Sequence, residues 1–301
     1  MRTVLPIDAG EVRSVAFSPD GTLLATGAGP GVRLRDVVSG NQIGSFAGHA
    51  RAVGPLAFSP NGGLLATADR ARIRLWDVAP TAPTAPTAQI AQIARTGVAG
   101  DSPPAVSIVA AGSTAARGGI LSMAFSPDGA LLASACDDGS VWLYEPATGR
   151  TSARLTGHVG AVRTVAFDPD GRLLASTGAD GSTRLWEVRS WRPIATMIDL
   201  PAHGWCLILP DGGYKLVGDP AGAFSWIIRE CVFEPGELDD FLPGVRRLHD
   251  SQPIPPLDGY PAVSRTVLGI SLAARNEPDA SAPHPSEKDR RGWRRHLPGH
   301  R

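Results

Sequence analysis

Short apolar and polar runs alternate along this chain, and turn residues separate them. The clearest run ends in a Pro-Asp-Gly or Pro-Asn-Gly turn. It occurs four times, followed by a weaker fifth copy: Ala16–Gly21, Ala57–Gly62, Ala124–Gly129, Ala166–Gly171 and Leu207–Gly212. Proline fixes φ in such a turn and glycine supplies a positive φ, so each copy predicts a tight connection between two strands.

The turn recurs at a nearly constant interval. Its Asp or Asn stands at positions 20, 61, 128, 170 and 211, so consecutive copies are 41, 67, 42 and 41 residues apart. Each turn is followed by a second apolar run, a small polar turn, a third run such as Ile73–Asp77, and a fourth run that leads to the next repeat. Four strands in about 41 residues predict one blade of a β-propeller, which is an all-β fold.

The repeats resemble those of the WD-repeat (WD40) family. Trp76-Asp77 and Trp186-Glu187 match its Trp-Asp dipeptide, and the pairs Gly48-His49 and Gly157-His158 match its Gly-His pair. The resemblance covers residues 1 to about 230 and indicates the bacterial type of repeat. It implies a WD40-type β-propeller with five recognisable four-stranded blades, and a non-catalytic scaffold role.

The resemblance also implies a buried set of hydrogen bonds that links His, Ser or Thr, Asp and Trp within a repeat. The fourth repeat carries every member: His158, Ser176, Asp180 and Trp186. We expect the other sets to be incomplete, since Arg35 and Tyr144 replace tryptophan and a shorter hairpin shifts the acid of the second repeat to Asp69. Such a set stabilises only when every member is satisfied. We therefore expect the fourth repeat to be the stiffest, and His158→Ala to cost more stability than His49→Ala.

Three segments depart from the repeat. The propeller is predicted to span residues 1–231. Within it, the Pro-Thr-Ala repeat and the Gly- and Ser-rich sequence that follows predict a flexible insertion at about 80–117, and the alternative is an extra blade. Residues 232–271 are expected to form an appendage on the last blade, with a short helix at Glu237–Leu242, and resemble the segment after WD repeats in large bacterial signalling proteins. Residues 272–301 are too polar to offset the entropy of ordering and are predicted to be disordered.

The number of blades stays open at this point. Five are recognisable, and the repeat region has room for about six. An opening strand near Thr3–Asp8 is expected to supply the outer strand of the last blade. A small closed ring agrees with the pattern, and so does part of a larger ring that another chain or further sequence completes.

Charge and composition remove several classes of partner. The chain has 29 basic and 29 acidic residues, so its formal charge is zero, which argues against nucleic acid or a membrane surface as the main partner. No apolar run reaches the length of a membrane span, the N-terminus lacks a signal-peptide core, and the three cysteines lack disulfide spacing. We expect a cytoplasmic protein without a cofactor.

No catalytic centre is evident in the sequence. His49 and His158 belong to Gly-His pairs, the aspartates of the Pro-Asp-Gly turns can bond their own backbone, and Cys136 is interpreted as a core residue. His296 and His300 have a metal-like spacing, but a proline lies between them in the predicted tail. We therefore expect neither an enzyme nor a metal site.

The leading hypothesis is a scaffold that holds protein partners on loops of one propeller face. The family resemblance places Arg13, Arg163 and Ala179 near the rim of that face and implies that they contact the partner. Other proteins are the expected partners, including a homo- or hetero-oligomer that completes the propeller. One alternative is a sensor subunit of a bacterial signalling or defence system that acts on a separate effector. A propeller-based hydrolase or lyase is the other, and would need titratable groups converging at the channel mouth.

Overall fold

A computed structural model of the chain describes residues 11–78, 106–109, 119–200, 204–219, 224–228, 231–233, 235–236, 245–249 and 268–272. The chain divides into two compact units, Met1–Gly178 and Ala179–Arg301. Every regular element in the described residues is a strand, and none of these residues is helical. The predicted all-β class is confirmed.

The first unit contains three four-stranded antiparallel sheets, in each of which consecutive strands are neighbours. Sheet one comprises β1 (Val12–Phe17), β2 (Leu23–Ala28), β3 (Gly31–Asp36) and β4 (Gln42–Phe46). Sheet two comprises β5 (Leu56–Phe58), β6 (Leu64–Ala68), β7 (Arg72–Asp77) and β8 (Val106–Val109). Sheet three comprises β9 (Ile120–Phe125), β10 (Leu132–Cys136), β11 (Ser140–Tyr144) and β12 (Thr151–Thr156). A further antiparallel pair, β13 (Val162–Phe167) and β14 (Leu173–Gly178), ends the unit.

The second unit contains the remaining strands. They are β15 (Ser182–Glu187), β16 (Arg192–Asp199), β17 (Trp205–Ile208), β18 (Gly213–Val217), β19 (Phe224–Ile228), β20 (Cys231–Phe233), β21 (Arg246–Arg247) and β22 (Leu268–Leu272). The strands β15 to β18 pair in antiparallel order, and β21 pairs with β18 in parallel. A separate sheet has the order β20-β19-β22.

The Pro-Asp-Gly turns adopt the geometry that their sequence predicts. Gly21 and Gly171 have φ of 71° and 69°, in the left-handed region that glycine tolerates best. The Asp20 carboxylate accepts a hydrogen bond from the Thr22 backbone N–H at 3.1 Å. Hydrogen bonds from Ser18 and Thr22 lower the pKa of Asp20, so this carboxylate belongs to the turn.

The core of the first unit lies between successive sheets, which pack face to face. Along β7, Ile73 and Leu75 belong to a cluster shared with sheet three, whereas Trp76 belongs to a cluster shared with sheet one. The Trp76 ring stacks on Phe46 of β4 with their centroids 4.9 Å apart. Cys136 is 4 % exposed in the first of these clusters, as the sequence predicted. Each buried apolar side chain of this size contributes about 1.5–3 kcal/mol.

Part of the predicted insertion forms a strand. Residues 106–109 pair with β7, with Ile108 opposite Ile73, and complete sheet two. This strand lies within the range predicted as a flexible insertion, and three of its four residues are β-branched, which favours a strand. Residues 79–105 and 110–118 lie outside the described residues.

The C-terminal region adds strands that no repeat predicts. β22 pairs with β19 along five residues, and it includes Leu272, where the tail was predicted to begin. Leu248 is 2 % exposed and packs with Leu207 and Leu209. The predicted helix, most of the tail and the opening strand near Thr3–Asp8 lie outside the described residues. The number of blades and the domain boundaries stay predictions.

Candidate functional site

The second repeat contains a buried chain of polar groups. His49 lies between two partners, with Nδ1 3.2 Å from Asp69 Oδ2 and Nε2 2.7 Å from Thr67 Oγ1. Trp76 Nε1 donates to the same Thr67 hydroxyl at 2.7 Å. Asp69 also accepts the backbone N–H groups of Ala71 and Arg72 at 2.8 and 2.9 Å. Every member of this chain therefore has its hydrogen-bond partners.

The proton positions in this hydrogen-bonded set of side chains follow from the donors present. A carboxylate only accepts, so the neutral His49 ring carries its proton on Nδ1 and donates to Asp69. The Thr67 hydroxyl then donates to Nε2 and accepts from Trp76. Burial lowers the pKa of His49 and keeps the ring neutral. Burial alone would raise the pKa of Asp69, but its backbone and His49 hydrogen bonds hold that pKa below the usual value.

This geometry overturns one sequence prediction. The second repeat was expected to have an incomplete set because its acid lies two residues earlier than in the fourth repeat. That expectation is wrong, since the tighter turn after β6 brings Asp69 to the ring of His49. The set is as complete in the second repeat as the family pattern requires.

The fourth repeat is divided by the boundary between the two units. In the first unit, His158 Nε2 lies 2.8 Å from the hydroxyl of the fully buried Ser176. In the second unit, Asp180 accepts the Ser182 backbone N–H at 3.0 Å and Trp186 is 3 % exposed. These residues hold structural positions, and Ala179 beside them is exposed.

Arg13 and Arg163 occupy equivalent bulges. The register of β1 against β2 shifts between Val12 and Ser14, and that of β13 against β14 shifts between Val162 and Thr164. A bulge adds one residue to its strand and redirects that residue's side chain. Both arginines are exposed. The bulges thus present the two side chains that the sequence nominated as partner contacts.

The structure brings Arg13 together with two arginines that the sequence analysis did not single out. Arg13, Arg51 and Arg70 line a recess of about 490 Å³ in the first unit. Arg163 and Ala179 are not among its lining residues. Arg51 and Arg70 stand in loops without a motif, so no local signal in the sequence marks them.

The strand that carries the Ala-Phe pattern in each repeat (β1, β5, β9 and β13) is called its inner strand. These inner strands differ in how much of one face is buried. In the shared Ala-Phe-Ser/Asp-Pro pattern, Val15 aligns with Met123 and Val165. Met123 and Val165 are 8 % and 4 % exposed, whereas Val15 is 59 % exposed. Phe17, two residues further along β1, is 60 % exposed. We call Arg13, Val15 and Phe17 the open face of β1.

The His, Cys, Asp and Glu side chains of the described residues bear on two kinds of chemistry, metal binding and thiol reactivity. Among the described residues, no three His, Cys, Asp or Glu side chains come together as a metal site would require. Burial raises the pKa of the Cys136 and Cys206 thiols to about 12, so neither is a thiolate at neutral pH. The described residues include no helix long and apolar enough to span a membrane.

Comparisons with known proteins agree with this geometry. The family model described as "WD domain, G-beta repeat" matches residues 3–36, 40–77, 108–145 and 149–187. The chain is similar in fold to a chain in the structure titled "Crystal Structure of Mitotic Checkpoint Complex", with a TM-score of 0.51 and 21 % sequence identity. That match covers 72 % of this chain and 66 % of the other, slightly less than two thirds. No curated protein matches the sequence significantly. The chain therefore carries WD40 repeats in four places and has a WD40-type β-propeller fold.

Proposed function

We propose that this WD40-repeat protein is a non-catalytic scaffold that binds other proteins through the open face of β1. The observation that supports this proposal is the exposure of Val15 and Phe17, at 59 % and 60 %. Large apolar side chains that adjoin on one strand face mark an interaction surface more often than isolated ones do.

The other repeats indicate what kind of surface fits this face. Val165 occupies the equivalent position of β13, and contacts between β13 and β9 accompany its burial. The same pattern in β1 is therefore suited to a flat, apolar partner surface such as the face of another sheet. Covering Val15 and Phe17 would contribute about 1.5–3 kcal/mol each.

Arg13 gives this surface a polar edge. Its side chain is 55 % exposed and pairs with Glu11 at 3.1 Å. Exposed ion pairs of this kind contribute little to stability, so a partner can replace Glu11 at low cost. An apolar centre with arginine beside it is the composition that protein interfaces favour. We retain Arg163 and Ala179 as further proposed contacts.

The compartment is a proposal as well. Cys136 and Cys206 are free, buried thiols, which supports the reducing cytoplasm as the place where the scaffold acts. The sensor-subunit alternative rests on the C-terminal segment, and the described residues add no observation in its favour.

The test is capture of partners by variants of the purified full chain. Val15→Asp combined with Phe17→Asp should remove most of the protein captured from an extract of the source cells, as quantified by mass spectrometry. Val38→Asp is the matched control, because Val38 is 93 % exposed in the turn between β3 and β4. Circular dichroism should show the same melting temperature for all three proteins.

Two outcomes would contradict the proposal. One is capture that the Val15→Asp/Phe17→Asp variant retains in full. The other is an equal loss in the Val38→Asp variant, since a general charge effect would then explain the loss.

A further inference from the structure

The recess lined by Arg13, Arg51 and Arg70 lies where the inner strands of three successive repeats begin. Arg13 stands at the start of β1, Arg51 and Gly54 precede β5, and Leu121 stands at the start of β9. Its volume of about 490 Å³ is in the range of sites that hold small ligands or a few side chains of a peptide. We call this site the arginine recess.

Three arginines and one carboxylate are among the residues that line the arginine recess. That carboxylate, Asp69, is 3 % exposed and is already bonded to His49 and two backbone amides. Arg51 is exposed, and within the described part of the chain it makes no ion pair or hydrogen bond. Arg51 therefore places a positive charge at the recess, beside Arg13, whose pairing with Glu11 is exposed to solvent.

The shape of the recess depends on Gly54. The equivalent positions of the other repeats carry Arg13, Leu121 and Arg163. A Cβ atom at Gly54 would meet only the carbonyl oxygens of Ala68 and Ile120, at 3.7 and 3.9 Å, which is ordinary contact. The backbone thus does not require glycine here, and the missing side chain leaves the recess open.

Apolar groups complete the lining. Pro55, Ile120 and Leu121 lie in the same recess as the arginines. A site with guanidinium groups on one part of its wall and aliphatic side chains on another matches a peptide that carries an anionic side chain next to an apolar one. Arginine binds carboxylate and phosphate oxygens in a bidentate manner, which gives such a site direction as well as charge.

We propose that the arginine recess binds an acidic segment of a partner protein, with an anionic side chain between the arginines and an adjacent apolar side chain against Pro55 and Leu121. A peptide is favoured over nucleic acid because three arginines around one recess do not form the extended basic stripe that tracks a phosphate backbone. This proposal rests on the scaffold function, since it assumes that the partner is a protein.

The experiment uses an array of 12-residue peptides in which a central Glu-Leu or phosphoserine-Leu pair is varied, followed by fluorescence anisotropy of the strongest binders with the full chain. Matched peptides carry Gln in place of Glu and Ser in place of phosphoserine, and an oligothymidylate serves as the nucleic-acid probe. The expected result is binding of the anionic peptides at least tenfold stronger than binding of the neutral ones, with weaker binding of the oligonucleotide. Comparison of the Glu and phosphoserine peptides identifies the anion.

Variants then locate the site. Arg51→Ala should weaken binding about tenfold, as expected for one charge-assisted contact. Gly54→Leu should fill the recess and weaken binding at least as much without lowering the melting temperature. Arg172→Ala removes an exposed arginine outside the recess and should leave binding unchanged.

Several results would overturn the assignment. They are the absence of any anionic binder on the array, stronger binding of the oligonucleotide, wild-type binding by the Gly54→Leu variant, and an equal loss in the Arg172→Ala variant. Failure of the scaffold proposal is distinguishable, because Val15→Asp/Phe17→Asp tests partner capture at residues that do not line the recess. Peptide binding that survives in that variant supports the recess independently of the open face.

Discussion

The first and second repeats have similar sequences and adjoining sheets, yet they differ in what their polar and apolar residues do. The second repeat buries His49, Thr67, Trp76 and Asp69 in one satisfied chain. The first repeat has Arg35 at the tryptophan position, where its guanidinium donates to the Gly40 carbonyl at 3.2 Å. Its inner strand also leaves Val15 and Phe17 exposed.

We infer from this difference that the second repeat contributes mainly to stability and the first repeat mainly to binding. A buried polar chain is costly to break, so the second repeat holds its strands in one arrangement. Exposed apolar residues stabilise a structure only when they are buried, so burial of the open face of β1 by a partner would favour association. Four variants or conditions test this division, beginning with the largest expected effect.

His49→Ala should destabilise the protein by about 3 kcal/mol, because it removes one hydrogen-bond partner from each of two buried groups, the Thr67 hydroxyl and the Asp69 carboxylate. The measurement is the free energy of unfolding in urea. His158→Ala is the matched control and should cost about 1–2 kcal/mol, since it removes the 2.8 Å contact with the buried Ser176 hydroxyl. A smaller loss for His49→Ala than for His158→Ala would mean that the second repeat does not depend on its polar chain.

Thr67→Val should cost about 2 kcal/mol, because it keeps the shape of the side chain and removes the hydroxyl that joins His49 to Trp76. Ser134 is the equivalent residue of the third repeat, and its hydroxyl lies 4.0 Å from the Cys136 sulfur, a weak contact. Ser134→Ala should therefore cost less than about 0.5 kcal/mol. Equal costs in the same urea titration would remove the distinction between a linked and an isolated hydroxyl.

Acid should destabilise the second repeat. Burial lowers the pKa of His49 in the folded state below its ordinary 6.5, so the unfolded state binds a proton first as the pH falls. The stability that neutral His49 contributes is complete above pH 6.5 and is lost between that value and the lower folded pKa. Each unit of difference corresponds to about 1.4 kcal/mol. Unfolding curves from pH 7.5 to 5 should show this loss in the wild type and a smaller one in His49→Gln; parallel curves would contradict it.

Val15→Ser should change the free energy of unfolding by less than about 0.5 kcal/mol, because the side chain is already exposed. Leu56 holds the same position in the second repeat and packs against the cluster that contains Trp76. Leu56→Ser should therefore cost about 2 kcal/mol. Similar losses for the two variants would show that the first repeat also needs this face for stability.

Much of the fold could be predicted because its information is local. The Pro-Asp-Gly turns fix the hairpins, and the alternation of residues in strands such as β7 assigns their two faces. The pairing of β22 with β19 could not be predicted, because its partners lie 40 to 48 positions apart in the sequence, from Ile228 with Leu268 to Phe224 with Leu272.

The site was less predictable than the fold. Arg13 could be nominated because it occupies a repeat position, whereas Arg51 and Arg70 come near it only when loops from different repeats meet. The completeness of the second polar chain was missed because a fixed spacing was assumed for the acid. In the shorter turn after β6, the Asp69 carboxylate accepts hydrogen bonds from two backbone N–H groups and also lies within hydrogen-bond distance of the His49 ring.

The central claim is that the face of β1 is open in the free protein, and thiol labelling tests it most directly. Val15→Cys and Val165→Cys would be compared in a Cys231→Ser background, where buried Cys136 and Cys206 react slowly. The account predicts that a maleimide modifies Cys at position 15 roughly a hundredfold faster than at position 165, which is reached only through local opening. Equal rates at the two positions in the partner-free monomer would show that the face is covered and would contradict the account.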